Sequence, residues 1–491
     1  MPDHARGDPA MTRRKFIQAT GAGALGAVGA AAVGCKGTRA AEEPPATPLR
    51  RKPNIIFILA DDLGYGDLGC YGQKKIRTPN LDRLAAEGIR FTQAYSGSTV
   101  CAPSRCCLMT GLHTGHAHIR GNALVPLRPE DKTVAEVLKE AGYATGLVGK
   151  WGLGEPDTAG IPNKKGFDCF YGYLNQAHAH NYYPDYLWKN TEKVRLGNEV
   201  EKGVAVRRAE YSADLFTKEA LAFVEEHRRE PFFLYLAYTI PHANNEAGKQ
   251  GMEVPGDEPY TGESWPQNEK NFAAMVTRMD TDVGRLLEKL QELAIDRDTV
   301  VLFTSDNGPH KEGGHDPTFF ASSGPVRGTK RNLTDGGIRV PMIVRWAGRI
   351  PAGTVSDQVW AFWDFLPTAA EIAGAPGSDG IDGISMLPCF LGRPQKSHEY
   401  LYWEFFEGGF QQAVRLGDWK GIRKGLDGKL VLYNLKTDLD ETDDVADANP
   451  DVVKQIEAIL KSARTDSAAF PIRPPAKKPA PPADAGKAAT P

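Results

Sequence analysis

The sequence predicts an α/β fold in which helices cover both faces of a large, mostly parallel sheet. Two observations support this prediction. Between residues 53 and 384, apolar runs of strand length alternate with stretches of helical periodicity, the order expected of a parallel sheet. After about residue 385, short strands separated by turns predominate, which predicts a small antiparallel α+β domain over residues 385–470.

The strands of the large domain are predicted from their length and their content of β-branched residues. They are Asn54–Ala60, Tyr143–Val148, Phe232–Tyr238 and Thr299–Thr304. The predicted helices are Thr133–Glu140, Tyr211–Glu226 and Asn268–Leu293. Polar residues follow each strand, and ligands of such sheets bind beyond the carboxyl ends of the strands. We therefore expect these polar residues to meet at one edge of the sheet.

The C-terminal domain is predicted from short strand-like runs and one amphipathic stretch. Its strands are His398–Phe405, Gln411–Arg415, Asp418–Arg423 and Lys429–Leu435, and its helix is Asp451–Ala463. We expect this domain to pack against the large one.

The two ends of the chain are not expected to belong to these domains. Arg13-Arg14, followed by an Ala- and Gly-rich stretch, is typical of a Tat-type signal peptide over residues 1–35, which would be recognised by the Tat export machinery. Ala32–Cys35 resembles a lipobox, and the alternatives are a lipid on Cys35 or plain cleavage and release. The protein is therefore expected in the periplasm or anchored to a membrane by that lipid. Residues 36–52 are expected to form a linker, and residues 471–491 a disordered tail rich in Pro, Ala and Lys.

The charge distribution excludes some classes of partner. The chain has 491 residues and a formal net charge of −3, and its basic residues are scattered. Neither a nucleic-acid groove nor a basic membrane-binding face is therefore expected.

Two clusters of oxygen ligands follow predicted strands. Asp61-Asp62 come after the first strand, and Asp306-Asn307 follow Thr299–Thr304. Hard oxygen donors select calcium or magnesium over zinc or copper. Alone, an Asp-Asp pair after a strand is better explained by a helix cap or a turn. Because both are expected at the same sheet edge, together they favour a shared metal site.

A cysteine precedes a predicted helix in Cys101-Ala102-Pro103-Ser104-Arg105. The first turns of this helix are predicted over Pro103–Met109, and a helix N-terminus favours anions through its free N–H groups. Arg105 adds a planar set of donors suited to tetrahedral oxyanions. The alternative for Cys101 is an inert buried thiol.

Three further polar residues lie in short motifs that are individually weak. Lys150 lies in Gly149-Lys150-Trp151 after a strand, His242 in Ile240-Pro241-His242, and Lys330 in a glycine-rich segment. The alternatives are a solvated charge, a loop histidine with a satisfied hydrogen bond, and a turn that enters a strand.

Taken in order, these motifs resemble the sulfatase family over residues 53–470, and in particular its arylsulfatase-like and N-acetylgalactosamine-6-sulfatase-like members. The motifs are the strand before Asp-Asp, C-x-P-S-R with Thr110-Gly111, G-K-W, P-H, S-D-N-G, and R-G-x-K followed by G-G-x-R-V-P. The resemblance implies an alkaline-phosphatase-like fold. It also implies that an installing enzyme oxidises Cys101 to formylglycine, whose hydrate attacks a sulfate ester.

The resemblance further implies roles for individual residues. Calcium, with magnesium less favoured, would be bound by Asp61, Asp62, Asp306, Asn307 and the modified Cys101. Arg105 would hold the formylglycine hydrate. Lys150, His242 and Lys330 would contact the sulfate and the leaving oxygen, and a protonated His242 would supply the leaving group with its proton.

The chain departs from the family at Gly152. The family commonly has a histidine at this position, close to the formylglycine hydroxyls, whereas Gly152 has no side chain. Our hypothesis is that His178 or His180 takes over as the base that resets the nucleophile. Alternation in an extended stretch would place both on one face. The alternative is that both are surface histidines on a Tyr-rich loop.

The expected function is exo-acting removal of sulfate from a sulfated carbohydrate, with activity on aryl sulfates. One alternative is a phosphate mono- or diester hydrolase of the same superfamily. The other is a non-catalytic, calcium-dependent glycan-binding protein, which would require loss of the nucleophile or of the ligands.

Overall fold

The computed structural model describes residues 51–472. The predicted signal peptide, and nearly all of the predicted linker and tail, lie outside the described residues. Within residues 51–472, every helix is too short or too polar to cross a membrane.

The structure contains both predicted kinds of sheet, and its elements are numbered here in chain order. The strands are β1 (Asn54–Ala60), β2 (Ile89–Tyr95), β3 (Ala144–Lys150), β4 (Cys169–Tyr173), β5 (Tyr186–Lys189), β6 (Glu192–Arg195), β7 (Glu199–Glu201), β8 (Val204–Arg207), β9 (Phe232–Ala237), β10 (Thr299–Ser305), β11 (Arg339–Trp346), β12 (Thr354–Ser356), β13 (Trp360–Ala361), β14 (Leu401–Phe405), β15 (Gln411–Leu416), β16 (Trp419–Lys424) and β17 (Leu430–Asn434). The α-helices are α1 (Pro79–Ala86), α2 (Cys101–Thr110), α3 (Val134–Glu140), α4 (Ser212–Glu226), α5 (Gln267–Glu292), α6 (Asp335–Ile338), α7 (Phe365–Ala373), α8 (Leu387–Phe390) and α9 (Pro450–Ser462).

The large sheet has the strand order β12-β2-β11-β10-β1-β9-β3-β4-β5-β6, with β13 also paired to β2. Its centre is parallel, since β1 pairs in parallel with both β10 and β9, and β3 with both β9 and β4. Strand β11 is antiparallel to both of its neighbours. The predicted mostly parallel sheet is therefore confirmed.

Helices cover both faces of this sheet, as the alternation along β1 shows. Ile55, Phe57 and Leu59 pack into one buried apolar cluster, and Ile56 and Ile58 into a second. Helices α2, α3 and α7 contribute to the first cluster, and α1, α4 and α5 to the second. A strand that is apolar on both faces is typical of a buried parallel sheet.

Two element boundaries differ from the predictions in ways that affect the site. Strand β3 continues two residues beyond Val148, so Lys150 is its last residue rather than part of a following loop. Helix α2 begins at Cys101 instead of Pro103, after Val100 in an extended conformation. Pro103 is compatible with this start because the first turn of a helix needs no hydrogen bond from its N–H.

The small C-terminal sheet is antiparallel, with the strand order β14-β15-β16-β17. One of its faces packs on α9, where Val414 and Leu432 meet Ile456 and Leu460. Side chains of the other face, such as Ala413 and Ile422, join the core of the large domain. The predicted antiparallel sheet and C-terminal helix are therefore confirmed.

Candidate active site

The polar residues that follow the central strands meet at the carboxyl edge of the large sheet. Asp61 and Asp62 follow β1, Asp306 and Asn307 follow β10, and Lys150 ends β3. All of them are at most 1% exposed to solvent. Buried charges at this density require direct partners, and the structure supplies them.

The acidic part of the site is compact. Ligand atoms of Asp61, Asp62, Cys101 and His242 all lie within 4.8 Å of one another. The Asp62 backbone N–H donates to Asp306 Oδ1 at 3.1 Å, and Asn307 Nδ2 donates to Asp62 Oδ1 at 2.7 Å. The other amide atom, Asn307 Oδ1, is buried without a hydrogen-bond partner in the part of the chain that the structure describes. A partnerless buried oxygen beside carboxylates is suited to a hard cation.

The backbone at Asp62 helps to bring both carboxylates into the site. Asp62 has a φ of 65°, the left-handed conformation that Asp adopts more readily than most residues. The preceding Asp61 N–H donates to the Ile240 carbonyl at 2.9 Å, which ties this turn to the loop after β9. The strand therefore ends in a sharp, fixed turn.

Cys101 is the first residue of α2, and every residue of this helix is buried. Its Sγ lies 3.4 Å from Asp61 Oδ1. Burial, and next the Asp61 carboxylate, raise the pKa of the Cys101 thiol well above its usual value. Because the thiolate is the reactive form, an unmodified Cys101 is a poor nucleophile here.

Arg105 and Ser104 join α2 to the neighbouring strands. Arg105 donates through Nε and Nη2 to Asp306 Oδ2, at 3.0 and 2.8 Å, and through Nη1 to the Lys150 carbonyl at 2.7 Å. Ser104 Oγ donates to the Asp306 carbonyl at 2.6 Å. The first turn of the helix is therefore held against the ends of β3 and β10.

The two carboxylates closest to Arg105 have opposite pKa shifts. Burial, with the nearby charge of Asp61, raises the pKa of Asp306 to about 7. Burial also acts to raise the pKa of Asp61, but the positive charges around it, with Lys150 foremost, hold that pKa well below its usual value. Crowded carboxylates of this kind are stabilised by a bound cation.

Two lysines form the cationic side of the site. Lys150 Nζ donates to Asp61 Oδ2 at 2.6 Å, and Lys330 Nζ donates to Asp62 Oδ2 at 2.8 Å. Burial acts to lower the pKa of Lys330, but the charge of Asp62 and its other neighbours raises it above its usual value. Burial likewise acts to lower the pKa of Lys150, but the charge of Asp61 and its other acidic neighbours raises it above its usual value, so both lysines are positively charged near neutral pH.

His242 is held in one tautomer. Its Nδ1 lies 2.7 Å from the Ala243 carbonyl and must donate to it, since a carbonyl only accepts. Its Nε2 lies 3.0 Å from Lys330 Nζ and therefore accepts from the ammonium group. Burial, followed by the charge of Lys330, holds the pKa of His242 well below its usual value. The proton between Lys330 Nζ and His242 Nε2 therefore belongs to Lys330, and His242 is neutral.

Glu312 is part of the site, although the sequence did not identify it. Its carboxylate accepts from Lys330 Nζ at 3.2 Å and from Arg331 Nη1 at 2.5 Å. Burial acts to raise the pKa of Glu312, but Lys330 and other positive neighbours lower it below its usual value. Glu312 lies in the long connection between β10 and α6, several residues beyond the end of the strand, so the strand end did not locate it.

The expected extended stretch around His178 and His180 is wrong. Residues His178–His180 form a 3₁₀ turn, because the Asn175 side chain accepts the His178 N–H at 2.9 Å and starts the turn. The two rings therefore diverge. His178 packs between Tyr173 and Tyr186, with ring centroids 4.9 and 4.4 Å away.

His180 reaches the margin of the site. Its ring stacks on His242 with a centroid distance of 4.9 Å, and its Nδ1 lies 3.1 Å from a Glu246 carboxylate oxygen. Of the two histidines, the structure brings only His180 to the predicted site residues.

The position of the missing family histidine is filled by another side chain. A Cβ atom built on Gly152 would lie 2.1 Å from Gln176 Nε2. Both polar atoms of the Gln176 amide are buried and have no hydrogen-bond partner among residues 51–472. Gln176 therefore occupies the space beside Gly152, and its amide is available to a ligand.

This combination of fold and site agrees with the comparisons with known proteins. The family model "Sulfatase" matches residues 53–375, and the model "N-sulphoglucosamine sulphohydrolase, C-terminal" matches residues 328–466. The chain belongs to the sulfatase family, and it is a sulfatase enzyme of the alkaline-phosphatase-like superfamily.

Two curated relatives are similar to the chain over most of its length. The chain is 35% identical over 412 residues to N-acetylgalactosamine-6-sulfatase of Canis lupus familiaris, and this match covers 76% of this chain and 74% of the relative. It is 30% identical over 504 residues to N-acetylgalactosamine-6-O-sulfatase of Bacteroides thetaiotaomicron, covering 84% and 94%.

Solved structures agree with the fold. The crystal structure of Ps i-CgsB in complex with k-i-k-neocarrahexaose matches with a TM-score of 0.72 and 30% identity, covering 84% of this chain and 93% of that one. The phosphonate monoester hydrolase of Agrobacterium radiobacter matches with a TM-score of 0.60, 84% coverage of this chain and 95% of that one. At 19% identity, that likeness concerns the fold alone.

Proposed function

We propose that this sulfatase removes sulfate from a sulfated carbohydrate, with a formylglycine made from Cys101 and a bound calcium ion. The observation that carries the proposal is the position of Cys101. It starts a buried helix, with its Sγ 3.4 Å from Asp61 Oδ1. The thiol itself is poorly reactive there, because burial raises its pKa. Oxidation to the aldehyde, whose hydrate provides an attacking hydroxyl, would give this position a nucleophile, and a formylglycine-installing enzyme is then a required partner.

The residues present fit a calcium ion. Asp61, Asp62, Asp306 and Asn307 would hold it, together with an oxygen of the modified residue 101. Two features support this assignment: the partnerless Asn307 Oδ1 and the crowded carboxylates that raise the pKa of Asp306. When bound, calcium would polarise the sulfate and stabilise negative charge on the attacking oxygen.

Lys150 and Lys330 would bind the sulfate group. They lie against opposite carboxylates of the site, Asp61 and Asp62, and both are nearly fully buried. Buried positive charges stabilise negative charge that develops on the transferred group more strongly than solvated ones do. Arg105 positions this arrangement, since it binds Asp306 and the Lys150 carbonyl at the same time.

The leaving oxygen requires a proton, and the Lys330–His242 pair can supply it. Lys330 carries the shared proton, and His242 Nε2 accepts one of its hydrogens at 3.0 Å. Transfer of a proton from Lys330 to the leaving oxygen leaves Lys330 as a neutral amine. The negative charges of Asp62 and Glu312 beside it favour its return to the protonated form. This assignment differs from the protonated His242 expected from the sequence.

A sulfated carbohydrate is proposed as substrate because two curated relatives are named as N-acetylgalactosamine sulfatases. The twin-arginine start adds support, since an exported enzyme meets extracellular polysaccharides. We therefore also propose export by the Tat pathway, to the periplasm or to a lipid anchor at Cys35.

The test is sulfate release by protein produced together with a formylglycine-generating enzyme. A panel of sulfated glycans is assayed beside a matched pair of aryl sulfate and aryl phosphate, with Cys101→Ala as the inactive control. We expect release from at least one glycan and a clear preference for the aryl sulfate. Equal or faster turnover of the aryl phosphate would favour the phosphate-ester alternative instead.

A further inference from the structure

A groove of about 890 Å³ lies between the loop that carries Lys330 and the small C-terminal sheet. One wall is formed by residues 317–334. The other is formed by side chains of β15, β16 and β17, including Ile422 and its cross-strand neighbour Val431. The volume falls within the range of pockets that enclose small organic ligands.

The charged residues that line this groove are all positive. Four basic residues line it and, among the described residues, no acidic one does; the basic residues are Lys311, Arg327, Lys424 and Lys429. The whole chain has a net charge of −3, so composition does not explain this excess. A second cavity, of about 640 Å³, is lined by acidic and basic residues together, for example Glu130 and Arg128. The first groove is therefore a local region of positive potential.

Most of this charge is free to meet a ligand. Lys311 and Lys424 are exposed, and neither forms an ion pair within residues 51–472. Arg327 donates to the backbone carbonyls of Asp440 and Glu441, which hold its guanidinium without neutralising it. Of the four, Lys429 alone has a carboxylate of the described residues within 3.5 Å, that of Asp447 at 3.2 Å.

The groove and the active site adjoin at two places along the connection between β10 and α6. Lys311 lines the groove, and the next residue, Glu312, contacts Lys330 Nζ. Thr329 lines the groove, and the next residue is Lys330 itself. Consecutive Cα atoms are about 3.8 Å apart. A chain of sugar units with one sulfate in the active site therefore has a cationic surface directly beside it.

We propose that this groove binds further anionic sugar units, sulfated or uronate-bearing, of the same glycan whose sulfate is hydrolysed. The inference rests on the proposed function and adds that the substrate is an extended polyanion. It predicts that affinity increases with chain length and falls as salt screens the charges.

The test compares the double variant Lys311→Gln/Lys424→Gln with the control Lys218→Gln/Lys454→Gln. The control lysines are exposed on α4 and α9, without an ion pair in the described part of the chain, and the charge change is the same. All proteins also carry Cys101→Ala, so binding is measured without turnover. The probes are disaccharides and hexasaccharides prepared from chondroitin 6-sulfate, heparin and carrageenan, titrated calorimetrically at low and high salt.

We expect the groove variant to bind the best hexasaccharide about five- to tenfold more weakly than the control does, in line with the loss of two exposed charge pairs. The disaccharide should show a smaller difference. Equal affinity of the two variants, or no hexasaccharide binding by their Cys101→Ala parent, overturns the inference. Sulfate release by the unmutated enzyme is scored separately, so failure of the proposed function is distinguished from failure of the groove.

Discussion

Lys330 Nζ lies 3.0 Å from His242 Nε2, and the same ammonium group contacts the carboxylates of Asp62 and Glu312. Because the pKa of Lys330 is raised and that of His242 is lowered, the proton between them belongs to the lysine. In the reaction proposed above, Lys330 would both bind the sulfate group and donate a proton to the leaving oxygen.

The first prediction concerns this proton. Lys330→Met removes both the charge and the proton, so kcat should fall about a hundredfold or more, the usual scale for loss of a general acid. The fall should be larger for a sulfated sugar, whose alcohol leaves poorly, than for an activated nitrophenyl sulfate. A series of aryl sulfates with graded leaving-group pKa measures this difference. An equal fall across the series would show that Lys330 binds sulfate without donating a proton.

The second prediction concerns the metal. Asn307→Ala removes the partnerless amide oxygen, so calcium should bind at least about tenfold more weakly. The readout is the increase in Tm on adding calcium to chelator-treated protein, since a ligand stabilises the folded state according to its affinity. Asn268→Ala is the control, because this amide lies on the surface and donates to the Lys249 and Gly314 backbone carbonyls. If both variants respond to calcium alike, Asn307 is not a ligand.

The third prediction concerns Gly152 and Gln176. Gly152→Ala places a Cβ 2.1 Å from Gln176 Nε2 at a φ of 80°, and should lower stability by about 1–3 kcal/mol. Gly142→Ala is the matched control, because Gly142 has a φ of 84° and no atom of the described residues lies within 4 Å of a Cβ built on it. The difference between the two in urea unfolding measures the clash alone. Adding Gln176→Ala should remove that difference; if it persists, Gln176 does not fill this space.

The fourth prediction concerns pH. Burial raises the pKa of Asp67 to about 7, and its Oδ1 has no hydrogen-bond partner among the described residues. The folded protein therefore binds this proton more tightly than the unfolded chain. The stabilisation is complete below about pH 4 and is lost as the pH rises through 7.

Asp67→Asn removes this titration and retains an acceptor for the Gly64 N–H. When the pH rises from 6 to 8.5, the parent loses the stabilisation that the Asp67 proton provides, whereas the variant has none to lose. The decrease in the free energy of unfolding should therefore be about 1–2 kcal/mol larger for the parent than for the variant. Urea unfolding at the two pH values gives both differences. Parallel pH profiles for the two proteins would contradict the buried, titrating Asp67.

Residues at strand ends were predictable from sequence, because the end of a parallel strand fixes where the next residue lies. Asp61, Asp62 and Asp306 were located in this way, and β1 and β10 were found with their boundaries correct to within one residue. Lys330 lies near the far end of the connection between β10 and α6, so the strand end did not locate it and the family motif supplied its role.

Residues that loops bring to the site were not predictable in this way. Glu312 and Gln176 reach it from segments without periodicity, and only the tertiary structure shows their contacts. The expectation for His178 and His180 failed because one local side-chain hydrogen bond, from the His178 N–H to Asn175, turns the chain. Alternation predicts a shared face only where the backbone is extended.

The central claim is that the chemistry at position 101 depends on an aldehyde, held next to a calcium-binding cluster. Mass spectrometry of the peptide containing residue 101, on the same preparation used for kinetics, tests it most directly. Across preparations made with different amounts of the installing enzyme, we predict sulfate release in proportion to the fraction of formylglycine. Full activity in a preparation that retains only the cysteine at position 101 would contradict the account.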